Sequence, residues 1–169
     1  MTTYNRHYRS KKFFLCVHTG EKNTIGFEHA SNRHTHFCFV DHGTGTYYVF
    51  DDNDNFTVVK GSGKEELLDL REYKNSSVVI RSKSDYKSIS FNPWRKEHDW
   101  NGRLIDKNET KIKGTRFYSC LIALKNSFRI DGVEIPEMSC VDLDADREYE
   151  IEIGNSFVGF FEEPFYENE

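Results

Sequence analysis

The sequence predicts an all-β fold, a sandwich or barrel with at most one short helix. Three observations predict it. Apolar and polar residues alternate with a period of two through most of the 169 residues, the pattern of half-buried strands. Fourteen Phe and nine Tyr supply a large buried area on side chains that favour strands. Short apolar runs, about ten of them, recur at near-regular spacing between turn-forming Gly, Asn and Asp.

Residues 13–17, Phe-Phe-Leu-Cys-Val, read as a buried strand. Residues 37–40 and 46–50 flank Asp41-His42-Gly43-Thr44-Gly45, whose turn chemistry predicts a hairpin between them. Residues 56–59 follow a polar turn at 51–55, and 77–80 and 88–91 continue the pattern. Residues 117–124, 127–130, 133–135, 148–153 and 156–161 complete it. Asp131-Gly132 is the strongest hairpin signal, because both central residues of such a turn need positive φ. One helix is expected, over 64–73: Ser62 and Glu65 resemble a capping box, and Leu67, Leu70 and Tyr73 or Leu68 share a helical face.

A chain of this length buries roughly 70% of its unfolded surface and needs neither disulfide nor metal to fold. With only three prolines and no Gly/Ser-rich linker, the expected organisation is a basic arm at 1–12, one domain at 13–163 and an acidic tail at 164–169. The arm carries Arg6, Arg9, Lys11 and Lys12 and no acid, whereas the C-terminal end carries Glu162, Glu163, Glu167 and Glu169 and no base. Ends of opposite sign suit a clamp between copies or onto protein partners, and equally suit solvated termini.

The net charge is −5, with acids and bases interleaved. Binding to nucleic acid draws its affinity from a basic excess, so nucleic acid is not expected as the main partner. No run of about eighteen apolar residues is present to span a membrane. The N-terminus lacks a signal-peptide stretch, and the four cysteines form no CxxC or zinc spacing. A cytoplasmic protein, or one assembled into a virion, is the expectation.

Chemistry concentrates in the histidines, five of seven lying between His18 and His42. His34 and His36 alternate on an extended chain, which puts both imidazoles on one face about 7 Å apart. His98 follows Pro93 in the loop Pro93-Trp-Arg-Lys-Glu-His98-Asp-Trp-Asn101. Other constellations fail on their own requirements. Asp51–Asn55 opens like a calcium loop, but Phe56 and Ser62 stand where Gly and Glu are needed. Gly61-Ser62-Gly63-Lys64 lacks the length of a phosphate loop. Cys38, between two Phe, reads as a core thiol. Trp94 and Trp100 flank Arg95, Lys96, Glu97, His98 and Asp99, which makes this loop the preferred contact surface, a packed Trp under a long loop being the ordinary alternative.

At these residues the chain resembles the cupins. Gly26, His34-Thr-His36 and the Gly43/Gly45 turn are similar to their first motif, and Pro93, His98 and Asn101 to their second. Seven residues separate Gly26 from His34 where the motif has five, Arg95 stands in place of a Gly, and no Glu follows the His pair. The resemblance implies a jelly-roll and, under the alternative reading, a divalent transition metal on His34, His36 and His98, with Asp41 or water beside them.

Two functions follow. The first is a non-catalytic jelly-roll acting as a structural or binding component of a larger assembly, with no cofactor. The composition, rich in Phe, Tyr, Asn, Asp and Lys and poor in Pro, resembles that of small tailed-phage proteins, so a viral particle is the expected setting. The alternative is a metal-dependent cupin-type enzyme or small-molecule binder.

Overall fold

A computed structural model of the chain describes residues 2–20, 25–28, 35–41, 46–50, 56–60, 64–71, 77–81, 85–95 and 99–163, with backbone alone at 2–9, 25–28, 46–50, 56–60, 77–81 and 86. The fold is all-β, and no α-helix occurs among the described residues. The chain divides into two compact units, Met1–Glu97 and His98–Glu169. Each carries its own pair of antiparallel sheets.

The first unit holds β1 (Thr2–Arg9), β2 (Phe13–Gly20), β3 (Ile25–Glu28), β4 (Phe37–Asp41), β5 (Thr46–Phe50), β6 (Phe56–Lys60), β7 (Glu66–Asp69), β8 (Ser77–Arg81) and β9 (Tyr86–Pro93). One sheet runs β1-β2-β9-β4-β7 and the other β3-β8-β5-β6. Most of the basic segment 1–12 is therefore strand: β1 pairs with β2 along its length.

Two expectations are corrected here. No hairpin joins β4 to β5, for β4 pairs with β7 and β9 while β5 pairs with β6 and β8. The two strands belong to different sheets, and residues 42–45 of the expected turn lie outside the described residues. The turn residues permit a reversal, but both edges of β4 are taken by strands remote in sequence. The predicted helix is also absent from its described part: Glu66–Asp69 is β7, with Leu67 and Leu68 opposite Phe39 and Cys38. An expected helix of about ten residues is too short to hold on its own propensity. Pairing with β4 satisfies the backbone groups of β7 at once.

The second unit holds β10 (Asn101–Leu104), β11 (Lys111–Lys113), β12 (Ser119–Lys125), β13 (Phe128–Ile130), β14 (Val133–Ile135), β15 (Cys140–Leu143), β16 (Glu148–Glu152) and β17 (Phe157–Glu162). Its sheets run β10-β17-β12-β15 and β11-β16-β13-β14. Leu121 and Ala123 of β12, Val158 and Phe160 of β17, Phe128 and Ile130 of β13, and Tyr149 and Ile151 of β16 form one buried cluster. Alternate positions of both sheets thus supply the core of a small sandwich. Asp131 and Gly132 have φ of 47° and 77° and join β13 to β14, with Ile130 opposite Val133. This is the two-residue turn that the sequence predicts.

Candidate functional site

The strand register sorts the first unit's larger sheet into two faces, since residues opposite each other point the same way. On one face Leu15, Phe91 and Phe37 lie in a row, followed by Val17, Ile89 and Phe39. All six are buried. On the other face Phe14 is opposite Asn92, Cys16 opposite Ser90 and His18 opposite Ser88, with Cys38 and Val40 flanking Ser90 and Ser88 from β4. This second face is also buried, yet it is polar: His18, Ser88, Ser90 and Asn92 are at most 4% exposed.

Thr35 and His36 extend the polar face at the start of β4. The His36 backbone N–H donates to the Phe91 carbonyl at 3.0 Å, and the His36 carbonyl accepts from the Leu70 N–H at 2.8 Å. The ladder therefore runs through His36, whose residue is 0% exposed. The Thr35 hydroxyl donates to Asn92 Oδ1 at 2.6 Å. Asn92 Nδ2 donates to the carbonyls of Phe14 and Ser90, both at 3.1 Å, and lies 3.0 Å from Ser90 Oγ. The carboxamide is thus saturated by its own unit.

The residues described do not fit a metal ion. His34 and His98 lie outside the described residues. By alternation His36 shares the Cys38 and Val40 face, while Asp41 stands on the opposite face across from Lys87. Asp41 therefore cannot join His36 as a ligand. Glu66, opposite Val40, has a buried Oε1 without a hydrogen-bond partner among the described residues. It lies about 13 Å along the strand from His36, too far to share an ion. Asp69 is held by Arg71, whose Nε and Nη2 donate to the carboxylate at 2.9 and 2.6 Å. Burial works to raise the Asp69 pKa, but hydrogen bonds from Arg71 and the charges of Arg71 and His36 outweigh it and hold it below the usual value. Among the described residues, no group of three or more His, Cys, Asp or Glu is placed to hold a metal ion.

The expected contact residues separate. Trp94 is half-buried, its indole N–H donating to the Ser10 carbonyl at 2.8 Å and its ring 4.4 Å from that of Phe14. Its backbone N–H donates to the Lys12 carbonyl at 3.0 Å. Lys11, Lys12 and Arg95 are exposed, and this bond brings the Lys11-Lys12 backbone beside Trp94-Arg95. Trp100 is different: only 1% exposed, it packs edge-on against Tyr118 with centroids 5.7 Å apart. Its ring is a core group and cannot be part of an exposed contact surface. Arg6 and Arg9 lie on β1, their side chains outside the described residues. Glu162 and Glu163 are half-buried at the end of β17.

The second unit holds a further polar group, half-buried at Tyr118 and running to the buried Cys120. Tyr118 donates to Asp142 Oδ1 at 2.5 Å, and Cys120 lies opposite Asp142. Burial, the neighbouring Cys120 and the bond to Asp142 push the Tyr118 hydroxyl well above its ordinary value of 10.0. Burial and hydrogen bonding with Cys140 push the Cys120 thiol above its ordinary 9.0. Both folded pKa values are raised, so their contribution to stability is complete below the unfolded values and is lost as pH rises through and beyond them. The denaturation midpoint should fall steeply above about pH 9, with Cys120 supplying a slope of about 1.4 kcal/mol per pH unit. Urea titrations from pH 7 to 11 should show a shallower fall in Cys120→Ala and Tyr118→Phe.

No family model and no curated protein matches the chain. Solved structures do. HutD from Pseudomonas fluorescens superposes with a TM-score of 0.64 at 9% identity, over 97% of this chain and 90% of that one. A cupin 2 conserved barrel domain protein from Leptotrichia buccalis gives 0.52 at 9% identity, over 97% and 89%. The Bacillus subtilis oxalate decarboxylase, whose Mn(II) centres are known, gives 0.51 at 9% identity, over 98% of this chain and 78% of that one. No helix among the described residues is long and apolar enough to cross a membrane. At such low identity the likenesses show the fold alone, and the fold is a cupin-like, all-β jelly-roll.

Proposed function

We propose that the protein is a non-catalytic cupin-fold binding component, working by association with protein partners or with its own copies in a larger assembly, such as a viral particle. One observation carries this reading. The polar groups beside His36 are spent on each other, Asn92 saturating Thr35, Phe14 and Ser90 inside the sheet. A reactive site keeps such groups available to a substrate. The exposed chemistry is instead the basic group of Lys11, Lys12 and Arg95 beside Trp94, which suits an acidic protein surface. The acidic end of another copy, with Glu162 and Glu163, offers one.

Light scattering on a sizing column tests this. At low salt the chain should run as a species heavier than one protomer. High salt should dissociate it, since contacts between exposed charges are screened. Lys12→Glu/Arg95→Glu should dissociate it already at low salt. A single protomer-mass species at every salt concentration would reject self-assembly. The second reading, a metal-dependent cupin enzyme or small-molecule binder, is supported by the complete burial of His36 and by the cupin-type neighbours.

A further inference from the structure

The second unit has a cleft of about 330 Å³ on the outward face of the sheet β11-β16-β13-β14. Lys111, Arg129, Glu150 and Glu152 line it, beside Gly132 of the hairpin turn. The register explains why these charges converge. Lys111 is opposite Glu150 across one edge of β16, and Arg129 is opposite Glu152 across the other. The two glutamates occupy alternate positions of β16 and so share a face.

The expected cross-strand ion pairs are not made. Lys111 reaches diagonally to Glu148, with Nζ 3.3 Å from Oε1. Arg129 lies against the Gly132 carbonyl at 3.4 Å, and among the described residues neither Arg129, Glu150 nor Glu152 has an ion-pair partner. One guanidinium and two carboxylates therefore border the cleft without a direct ion pair among the described residues. A purely anionic guest would meet the two carboxylates beside the guanidinium, and a purely cationic one would meet the guanidinium beside the carboxylates. A molecule bearing both charges satisfies all three groups.

From this arrangement we infer that the cleft is a binding site for a small amphoteric molecule, one with a carboxylate and an ammonium group a few bonds apart. The guanidinium of Arg129 takes the carboxylate as a two-pronged hydrogen-bond donor. The ammonium sits between Glu150 and Glu152, whose backbone positions are about 7 Å apart along the strand. Arg129 is one strand over from Glu152, about 5 Å away, which sets the charge separation in the guest. A volume at the lower end of the range for small-molecule sites limits it to a compact molecule.

Three probes of matched length test this on the full chain: γ-aminobutyrate with both charges, butyrate with one and butylammonium with the other. The readout is the backbone amide signals of Gly132, Glu150 and Glu152 in a nitrogen-15-labelled sample. The amphoteric probe should shift them saturably, at least about tenfold more tightly than either singly charged one, a difference of about 1.4 kcal/mol. Arg129→Met and Glu152→Gln should each weaken that response severalfold while leaving signals elsewhere in place. Both side chains are exposed, so both variants should fold; if one perturbs the whole spectrum, the other decides. Equal response to all three probes, no saturable shift with γ-aminobutyrate, or an unchanged response in the folded variant would each overturn the inference.

Discussion

Asn92→Leu should lower the unfolding free energy by about 3 kcal/mol, because it strands several buried polar groups at little cost in volume. In the native sheet Asn92 accepts from the Thr35 hydroxyl and donates to the carbonyls of Phe14 and Ser90. Asn92 is 3% exposed and Thr35 4%, so water cannot replace the lost partner. Leaving a buried donor unsatisfied costs about 1–3 kcal/mol, more than a hydrogen bond contributes on balance. The companion change Thr35→Val removes the stranded hydroxyl. The double variant should therefore be more stable than the sum of the singles predicts, with a coupling of about 1 kcal/mol or more. Urea midpoints of the four proteins measure it, and strict additivity would show that the bond at 2.6 Å contributes nothing of its own.

Trp100→Ala should cost about 3–5 kcal/mol, the range for a large aromatic lost from a core. Trp100 is among the largest fully buried side chains, and Tyr118, on which it packs, is itself tied to Asp142. The cavity would therefore open beside a hydrogen-bonded group that cannot collapse into it. A contact residue would behave in the opposite way, leaving stability intact when truncated and weakening association alone. Thermal and urea unfolding decide between the two. A change within about 0.5 kcal/mol would return Trp100 to the surface.

Where the sequence succeeds and fails follows from which interactions are local. Short apolar runs revealed β2, β4 and β12, period-two alternation revealed β9 and β16, and Asp131-Gly132 revealed its own hairpin, because side-chain pattern and turn φ are set within a few residues. Sheet membership is not local. Asp41–Gly45 has the residues of a hairpin, yet β4 and β5 belong to different sheets, and the more distant partners β7, β9 and β8 decide that. Leu67 and Leu68, adjacent and both apolar, fit either a helix or a strand, and the open edge of β4 chose the strand. The polar segment of β1, Asn101–Leu104 and Lys111–Lys113 carry too few apolar residues to signal strands, and each lies at a sheet edge.

The site was less legible. Alternation in Ser88-Ile-Ser-Phe-Asn92 marks two faces, and the ordinary inference puts the polar one in water. It is buried, which no pattern within the strand records. The His34-Thr-His36 spacing located His36 on a ladder, but Asp41 falls on the opposite face by parity. That parity was available from the sequence once the alternation was carried from His36 through the strand at 37–41. Trp94 and Trp100 looked alike because both flank the same charged loop, and packing separated them.

The most direct test of the binding reading is the transition-metal content of the purified chain beside its His34→Ala/His36→Ala variant, by elemental mass spectrometry. The reading predicts no near-stoichiometric iron, manganese, nickel, copper or zinc in either protein. Close to one metal ion per chain, lost in the variant, would contradict it and make a metal-dependent cupin the working description.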